Sequence, residues 1–139
     1  MENYYIMMAL KEAKKAYKKN DVPVGAIIVK NNKIIARAYN RKEKTKIATH
    51  HAEILAIEKA CKKLNDWRLN DCEMYVSLEP CLMCKGAIME SRIKKAIYCV
   101  KCQKEACNSV KKEKTTEFIY KKINNDAEKL LKTFFENKR

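Results

Sequence analysis

His51, Cys81 and Cys84 can share one metal ion only in a fold that carries two distant segments of this chain to the same point. The segments read His51-Ala52-Glu53 and Pro80-Cys81-Leu82-Met83-Cys84. A histidine, a carboxylate two residues on and a Cys-x-x-Cys opened by proline are the parts of a hydrolytic zinc site. Three soft or borderline ligands leave the fourth tetrahedral position open to water, as catalytic zinc requires; a structural site closes with a fourth protein ligand. The other histidine, His50, adjoins His51, and neighbouring side chains on a helix point in different directions. His50 is read as a surface residue at a helix start, with a place at the pocket mouth as the alternative.

The surrounding pattern supplies elements for such a fold. Residues 2–19 have helical periodicity, with Tyr5, Met8, Ala9, Leu10, Ala13, Ala16 and Tyr17 on one side. Asn20-Asp21-Val22-Pro23 stops this helix. Gly25 to Val29 is an almost continuous apolar run, as in a buried strand. Asn31-Asn32 turns the chain, and residues 33–39 return as the second strand of a hairpin. A polar loop over 40–49 leads to a helix at about 51–64, whose apolar positions are Ile54, Ile57, Cys61 and Leu64. Residues 73–78 form a strand, Pro80 takes the first position of a short helix to about Ser91, and 95–100 form another strand. Residues 101–116 carry no clear pattern, and 118–123 suit a strand or the start of a helix. Asn125-Asp126 caps a last helix with Leu130, Leu131, Phe134 and Phe135 on its apolar side. Strands alternating with helices imply an α/β domain of three layers, with helices on both sheet faces. Cys81 and Cys84 fall on one side of a first helical turn, where the positive helix end favours thiolates.

A chain of 139 residues suits a single domain, residues 1–139, with a core that needs no staples. Its seven cysteines are an odd number, no apolar leader opens it, and no run is long enough to span a bilayer. These features point to a reducing, cytoplasmic setting with free thiols or metal ligands. Cys61 and Cys72 are read as inert small hydrophobes. Cys99, Cys102 and Cys107 supply only three ligands, and a second metal site would need a fourth from Cys72 or His50, so they are read as unpaired thiols. The net charge of +14, from 31 Lys and Arg against 17 Asp and Glu, points to a polyanionic partner. Most of the excess is lysine spread from Lys11 to Lys138, and a solvated lysine-rich surface gives the same total. Arg92, Lys94 and Lys95 suit a phosphate grip and a solvated face equally, and Trp67 suits packing or an interface better than base stacking.

Glu53 can take a proton from water without ligating the metal, then pass it to a ring nitrogen and a departing amine. The matching target is an electron-poor ring carbon bearing an exocyclic amine, as in adenine, cytosine or guanine. A structural zinc element without chemistry has no need of Glu53 at that spacing.

The chain resembles the bacterial tRNA-specific adenosine deaminases, which convert adenosine to inosine at the anticodon wobble position. The likeness is carried by Val22-Pro23-Val24-Gly25-Ala26, Asn40, His51-Ala52-Glu53-Ile54 and Asn65-Asp66-Trp67-Arg68-Leu69. It continues in Leu78-Glu79-Pro80-Cys81-Leu82-Met83-Cys84, Gly86-Ala87-Ile88, Ser91-Arg92-Ile93 and residues 131–135. It covers roughly residues 4–100 and resumes at the last helix. The segments at His51 and Pro80 belong to the whole cytidine-deaminase-like superfamily. Those at Val22 and around Trp67 are more particular to the tRNA enzymes.

This resemblance implies a three-layer α/β/α cytidine-deaminase-like sandwich with a five-stranded mixed sheet. It implies one zinc ion per subunit on His51, Cys81 and Cys84, with Glu53 as the catalytic residue. It also implies that Asn40 contacts the flipped base, Val24 walls the pocket, Ala52 and Pro80 border the zinc site, and Phe134 and Phe135 lie near the pocket. A homodimer with sites completed near the interface, and a tRNA anticodon stem-loop as partner, follow in the same way. As residues alone, Asn40 has a strand-to-loop turn as its alternative role, and Phe134 and Phe135 have the core of an amphipathic helix, the commoner fate of such pairs.

The departures concern the rim. Where the family carries a loop with Gly and Asp, this chain has Cys99-Val100-Lys101-Cys102-Gln103-Lys104-Glu105-Ala106-Cys107, with Cys102 at the Asp position. Without glycine that backbone is less free to take positive φ. The stretch before the last helix is shorter than usual, and Ile47-Ala48-Thr49-His50 replaces Asp-Pro-Thr-Ala. The expected activity is hydrolytic deamination of wobble adenosine in tRNA. A small-molecule deaminase for guanine, cytosine or cytidine is the alternative. A catalytically silent, zinc-bearing RNA-binding subunit is a third reading, which Glu53 opposes.

Overall fold

The structure, a computed structural model, describes residues 1–102, 116–122 and 126–137. Helix α1 (Glu2–Lys18) leads into the hairpin β1 (Gly25–Lys30) and β2 (Lys33–Tyr39), then a single turn α2 (Lys42–Thr45) and helix α3 (Ala52–Leu64). Strand β3 (Cys72–Val76), helix α4 (Leu82–Glu90), strands β4 (Lys95–Tyr98) and β5 (Glu117–Tyr120), and helix α5 (Asp126–Asn137) follow. The strand order is β2-β1-β3-β4-β5. β1 is antiparallel to both β2 and β3, whereas β3, β4 and β5 run parallel, so the five-stranded sheet is mixed as expected.

Side chains alternate across a strand, so a sheet covered on both faces needs apolar residues at every position. β1 meets that need. Ile27 and Val29 join Tyr5, Ile6, Met8 and Leu10 of α1, while Ala26 and Ile28 join the core under α3 and α4. Leu131 of α5 packs on the α1 side. The three-layer α/β/α arrangement is therefore present, with the continuous run at Gly25 explained by double coverage. Among the described residues, no helix is long and apolar enough to cross a membrane.

The helix expected at about 51–64 forms, but a different stripe faces the sheet. Ala52, Ala56 and Ala60 are fully buried, whereas Ile54, Ile57, Cys61 and Leu64 are only half-buried. Alanine lets the helix axis approach the sheet closely, and the larger side chains spread along its flanks. Asn65 ends α3 in the left-handed region, which asparagine tolerates.

Three further expectations shift. The polar loop over 40–49 contains α2, because Asp21 Oδ2 accepts the N–H groups of Glu43 at 3.1 Å and Lys44 at 3.4 Å. A carboxylate distant in sequence thus satisfies donors at the start of this turn. Pro80 stands before the N-cap, which is Cys81, and not at the first helical position. β3 and β4 stop earlier than expected, and Leu78 and Val100 beyond their ends line a cavity.

Gly25 lies directly beneath α1. A Cβ there would collide with the Ala9 carbonyl oxygen and the Ala13 amide nitrogen, and would stand 2.6 Å from Glu12 Cβ. Two of these three obstacles are helix backbone, so the helix itself must move. Gly25→Ala is expected to cost about 3 kcal/mol, roughly 10 °C in Tm. A melting temperature within about 1 °C of the parent would show that α1 yields freely.

Candidate active site

α3 and α4 pack on the same face and begin at the same end, so their first residues meet beyond the C-terminal ends of β3 and β4. His51 is the N-cap of α3 and Cys81 the N-cap of α4, with Cys84 three residues into that helix. His51 Nδ1 lies 3.7 Å from Cys81 Sγ and 3.6 Å from Cys84 Sγ. All three donor atoms fall within 4.8 Å of one another. Tetrahedral zinc with ordinary Zn–N and Zn–S lengths requires about 3.6 Å between such donors. The observed spacings match that requirement, so this donor set fits a zinc ion with one position left over.

The electrostatics of the cluster agree. Cys81 is pushed down to about 3, first by its hydrogen bond with Cys84 and also by that with His51. Cys84 is driven upward because it supplies the shared proton and is buried. His51 is raised, chiefly by its hydrogen bond with Cys81. A cation among these groups removes the need for the shared proton and lets both sulfurs ligate as thiolates.

Glu53 follows His51 by two residues on the first turn of α3 and is 3% exposed. Burial pushes its carboxyl up to about 7, against a smaller lowering by a backbone hydrogen bond and by His51. Its Oε1 is buried without a hydrogen-bond partner. A buried acceptor left open beside a metal-binding set is suited to a water or substrate proton.

These groups line a cavity of about 640 Å³. Asn40 and Val24 line it too. Asn40 also serves the turn, since its Oδ1 accepts the Lys42 N–H at 3.1 Å. That bond uses the amide oxygen and not the amide N–H group. Ala52 and Pro80, each adjoining a ligand in sequence, are buried and do not line the cavity, and Ala52 belongs to the core under α3. Phe134 and Phe135 fall within α5, and their side chains lie outside the described residues. Leu131 and Lys132 of the same helix reach the cavity. His50 is absent from the lining, and its carbonyl accepts the Arg41 N–H.

Several lining groups carried no signal in a linear reading. Glu79 forms a buried ion pair with Lys85 at 2.8 Å, and its other oxygen accepts the Cys102 N–H at 3.1 Å. Lys42, Lys101, Lys132 and Tyr120 also line the cavity. Tyr120 shares a strand face with Phe118, an alternation legible only once β5 is known to be a strand. The cations considered for a phosphate grip are engaged elsewhere. Lys95 pairs with Glu2 and Glu73, and Lys94 with Glu73. Arg92 donates to the Met89 and Glu90 carbonyls that end α4, and with Arg68 it flanks the exposed Trp67 ring.

The other thiols divide. Burial raises Cys61 and Cys72, and pushes Cys99 up to about 11, as inert thiols require. Cys102 is disulfide-bonded, against the expectation of free thiols throughout. An odd cysteine count rules out complete pairing but permits a single bridge. Among the described residues, His51, Cys81 and Cys84 are the one group able to hold a metal, and Cys107 lies outside the described residues.

The family described as the cytidine and deoxycytidylate deaminase zinc-binding region matches residues 1–100. The tRNA-specific adenosine deaminase of Aquifex aeolicus is 53% identical over 97 residues, which cover 70% of this chain. The chain spans 64% of that relative's length. A solved structure from a study of A-to-I editing by tRNA A34 deaminases superimposes with a TM-score of 0.76 at 30% identity, covering 86% of this chain and 98% of the other. The guanine deaminase of Bacillus subtilis superimposes with a TM-score of 0.70 at 28% identity, covering 97% and 93%.

Proposed function

This chain belongs to the cytidine and deoxycytidylate deaminase zinc-binding family, and on that premise we propose that it hydrolyses adenosine to inosine at the wobble position of a tRNA anticodon loop. The observation that carries the chemistry is the His51–Cys81–Cys84 donor set with the open, buried carboxylate of Glu53 beside it. The names of the Aquifex relative and of the A34 deaminase structure support the substrate. So does a net charge of +14.

In this reading His51, Cys81 and Cys84 hold the ion, and Glu53 and Asn40 do the rest. When bound, zinc supplies Lewis acidity and lowers the pKa of water toward neutrality. Glu53 takes a proton from the attacking water and delivers it to the purine ring nitrogen. The water oxygen bonds to C6; Glu53 then takes the proton of the new C6 hydroxyl and gives it to the amine, so the C6–N bond breaks, ammonia leaves and the C6 carbonyl forms. The amide of Asn40 and the side chain of Val24 orient the base against this carboxyl. Burial favours the protonated carboxyl, and a backbone hydrogen bond and His51 favour the carboxylate, so the group both accepts and returns a proton near neutral pH.

The packing of the described elements on one sheet supports treating residues 1–139 as a single catalytic domain. A cytoplasmic homodimer is part of the same proposal. Exposed Leu82 and Met83, next to the ligand Cys81, are the natural surface for a second copy.

The guanine deaminase likeness and the altered segment at Cys99 to Cys102 favour a second reading, deamination of a free base. Zinc-loaded protein offered an anticodon stem-loop with wobble adenosine, and separately guanine, cytosine, cytidine and adenosine, decides between them. We expect inosine in the stem-loop, with turnover falling steeply as salt rises. Ammonia from a free base, with the stem-loop untouched and no effect of salt, would sink the tRNA reading.

A further inference from the structure

We propose that Tyr120 and Lys101 form a second subsite in the cavity, which takes the base and phosphate next to the reacting nucleotide of a single-stranded RNA loop. The inference rests on the nucleic-acid reading above and deepens it. Tyr120 sits at the C-terminal end of β5, and β5 lies two strands beyond β3, about 10 Å across the sheet. Cys81 follows β3, so Tyr120 stands to one side of the reacting centre and still lines the same cavity. At about 640 Å³ that cavity is larger than one base fills.

Both groups are held in place. The Tyr120 ring leans on the buried Tyr98, with centroids 5.9 Å apart at 48°. The backbone on each side of Lys101 is tied to Glu79. The Val100 carbonyl accepts the Glu79 N–H at 2.8 Å, and the Cys102 N–H donates to Glu79 Oε1 at 3.1 Å. Glu79 is balanced by Lys85, so it does not neutralise Lys101. Among the described residues Lys101 has no ion-pair partner; its Nζ stands 4.7 Å from the Tyr120 ring centroid. A supported aromatic face beside an uncompensated ammonium suits a stacked base and its phosphate. Lys101 has a flexible stem, so it can leave the ring for the phosphate when a base takes the ring face.

The test uses the zinc-loaded full chain and a labelled anticodon stem-loop, with binding read by fluorescence anisotropy and turnover by inosine formation. Tyr120→Phe keeps the ring and is expected to bind within about twofold of the parent, whereas Tyr120→Ala weakens binding about 5- to 100-fold. In turnover, Tyr120→Ala raises KM and leaves kcat and zinc content near those of the parent. Lys101→Met weakens binding and lowers the slope of log Kd against log salt by about 0.7 to 1. Parental affinity in Tyr120→Ala, or an unchanged salt slope in Lys101→Met, overturns the subsite. Equal losses in Tyr120→Phe and Tyr120→Ala overturn it too, because they point to packing. Parent protein that fails to bind the stem-loop does the same. Parent protein that binds the loop without deaminating it overturns the adenosine reading alone, and the Tyr120 comparison still decides the subsite.

Discussion

Glu53→Gln is expected to cut turnover by about 10²- to 10⁴-fold and to leave bound zinc unchanged. Glutamine has the shape of glutamate, so the packing around this 3% exposed side chain survives. It cannot take a proton from water or return one, and that is the only role the proposed mechanism asks of residue 53. The substitution also removes a carboxyl whose ionised form is disfavoured by burial, so the fold has nothing to lose. Loss of rate with parental zinc content and an equal or higher melting temperature would separate chemistry from stability. Single-turnover inosine formation and metal analysis on the same preparation make the check. A variant retaining more than about a tenth of the parental rate would remove Glu53 from the mechanism.

Cys84→Ala is expected to abolish both zinc retention and turnover. Cys84 is fully buried, with its sulfur 3.6 Å from His51 Nδ1. Its removal leaves two protein ligands where catalytic zinc needs three. Binding energy for a metal is also folding energy, so the variant should melt as the metal-free parent does, with a small further loss for the missing sulfur. Cys72→Ala is the matched control. Cys72 is equally buried, but burial raises its thiol pKa and no ligand set includes it. Zinc should stay near one per chain in that variant and fall toward none in Cys84→Ala after gel filtration at neutral pH. One tightly held zinc in Cys84→Ala would overturn the assignment of Cys84 as a ligand.

Much of the fold was legible because it rests on local rules. The hairpin at Asn31-Asn32 and the doubly buried β1 follow from turn chemistry and alternation. Other features depend on partners far off in the chain. α2 draws on Asp21, which receives the Glu43 and Lys44 N–H groups, and nothing within residues 40–49 announces that carboxylate. The sheet-facing stripe of α3 went to Ala52, Ala56 and Ala60, since a periodicity of large side chains does not report how closely a helix approaches its sheet.

The site divides along the same line. Which residues can carry the chemistry was determined by the sequence alone, because a metal ligand, a proton carrier and a helix start are properties of residue type and short spacing. His51, Glu53, Cys81 and Cys84 needed no fold to be named. Only the tertiary structure decided what stands around them. It took Arg92, Lys94 and Lys95 into internal contacts and brought Lys101 and Tyr120 into the cavity. Substrate-facing neighbours meet across the sheet, where strand order and burial, and not separation along the chain, determine which side chains share a space.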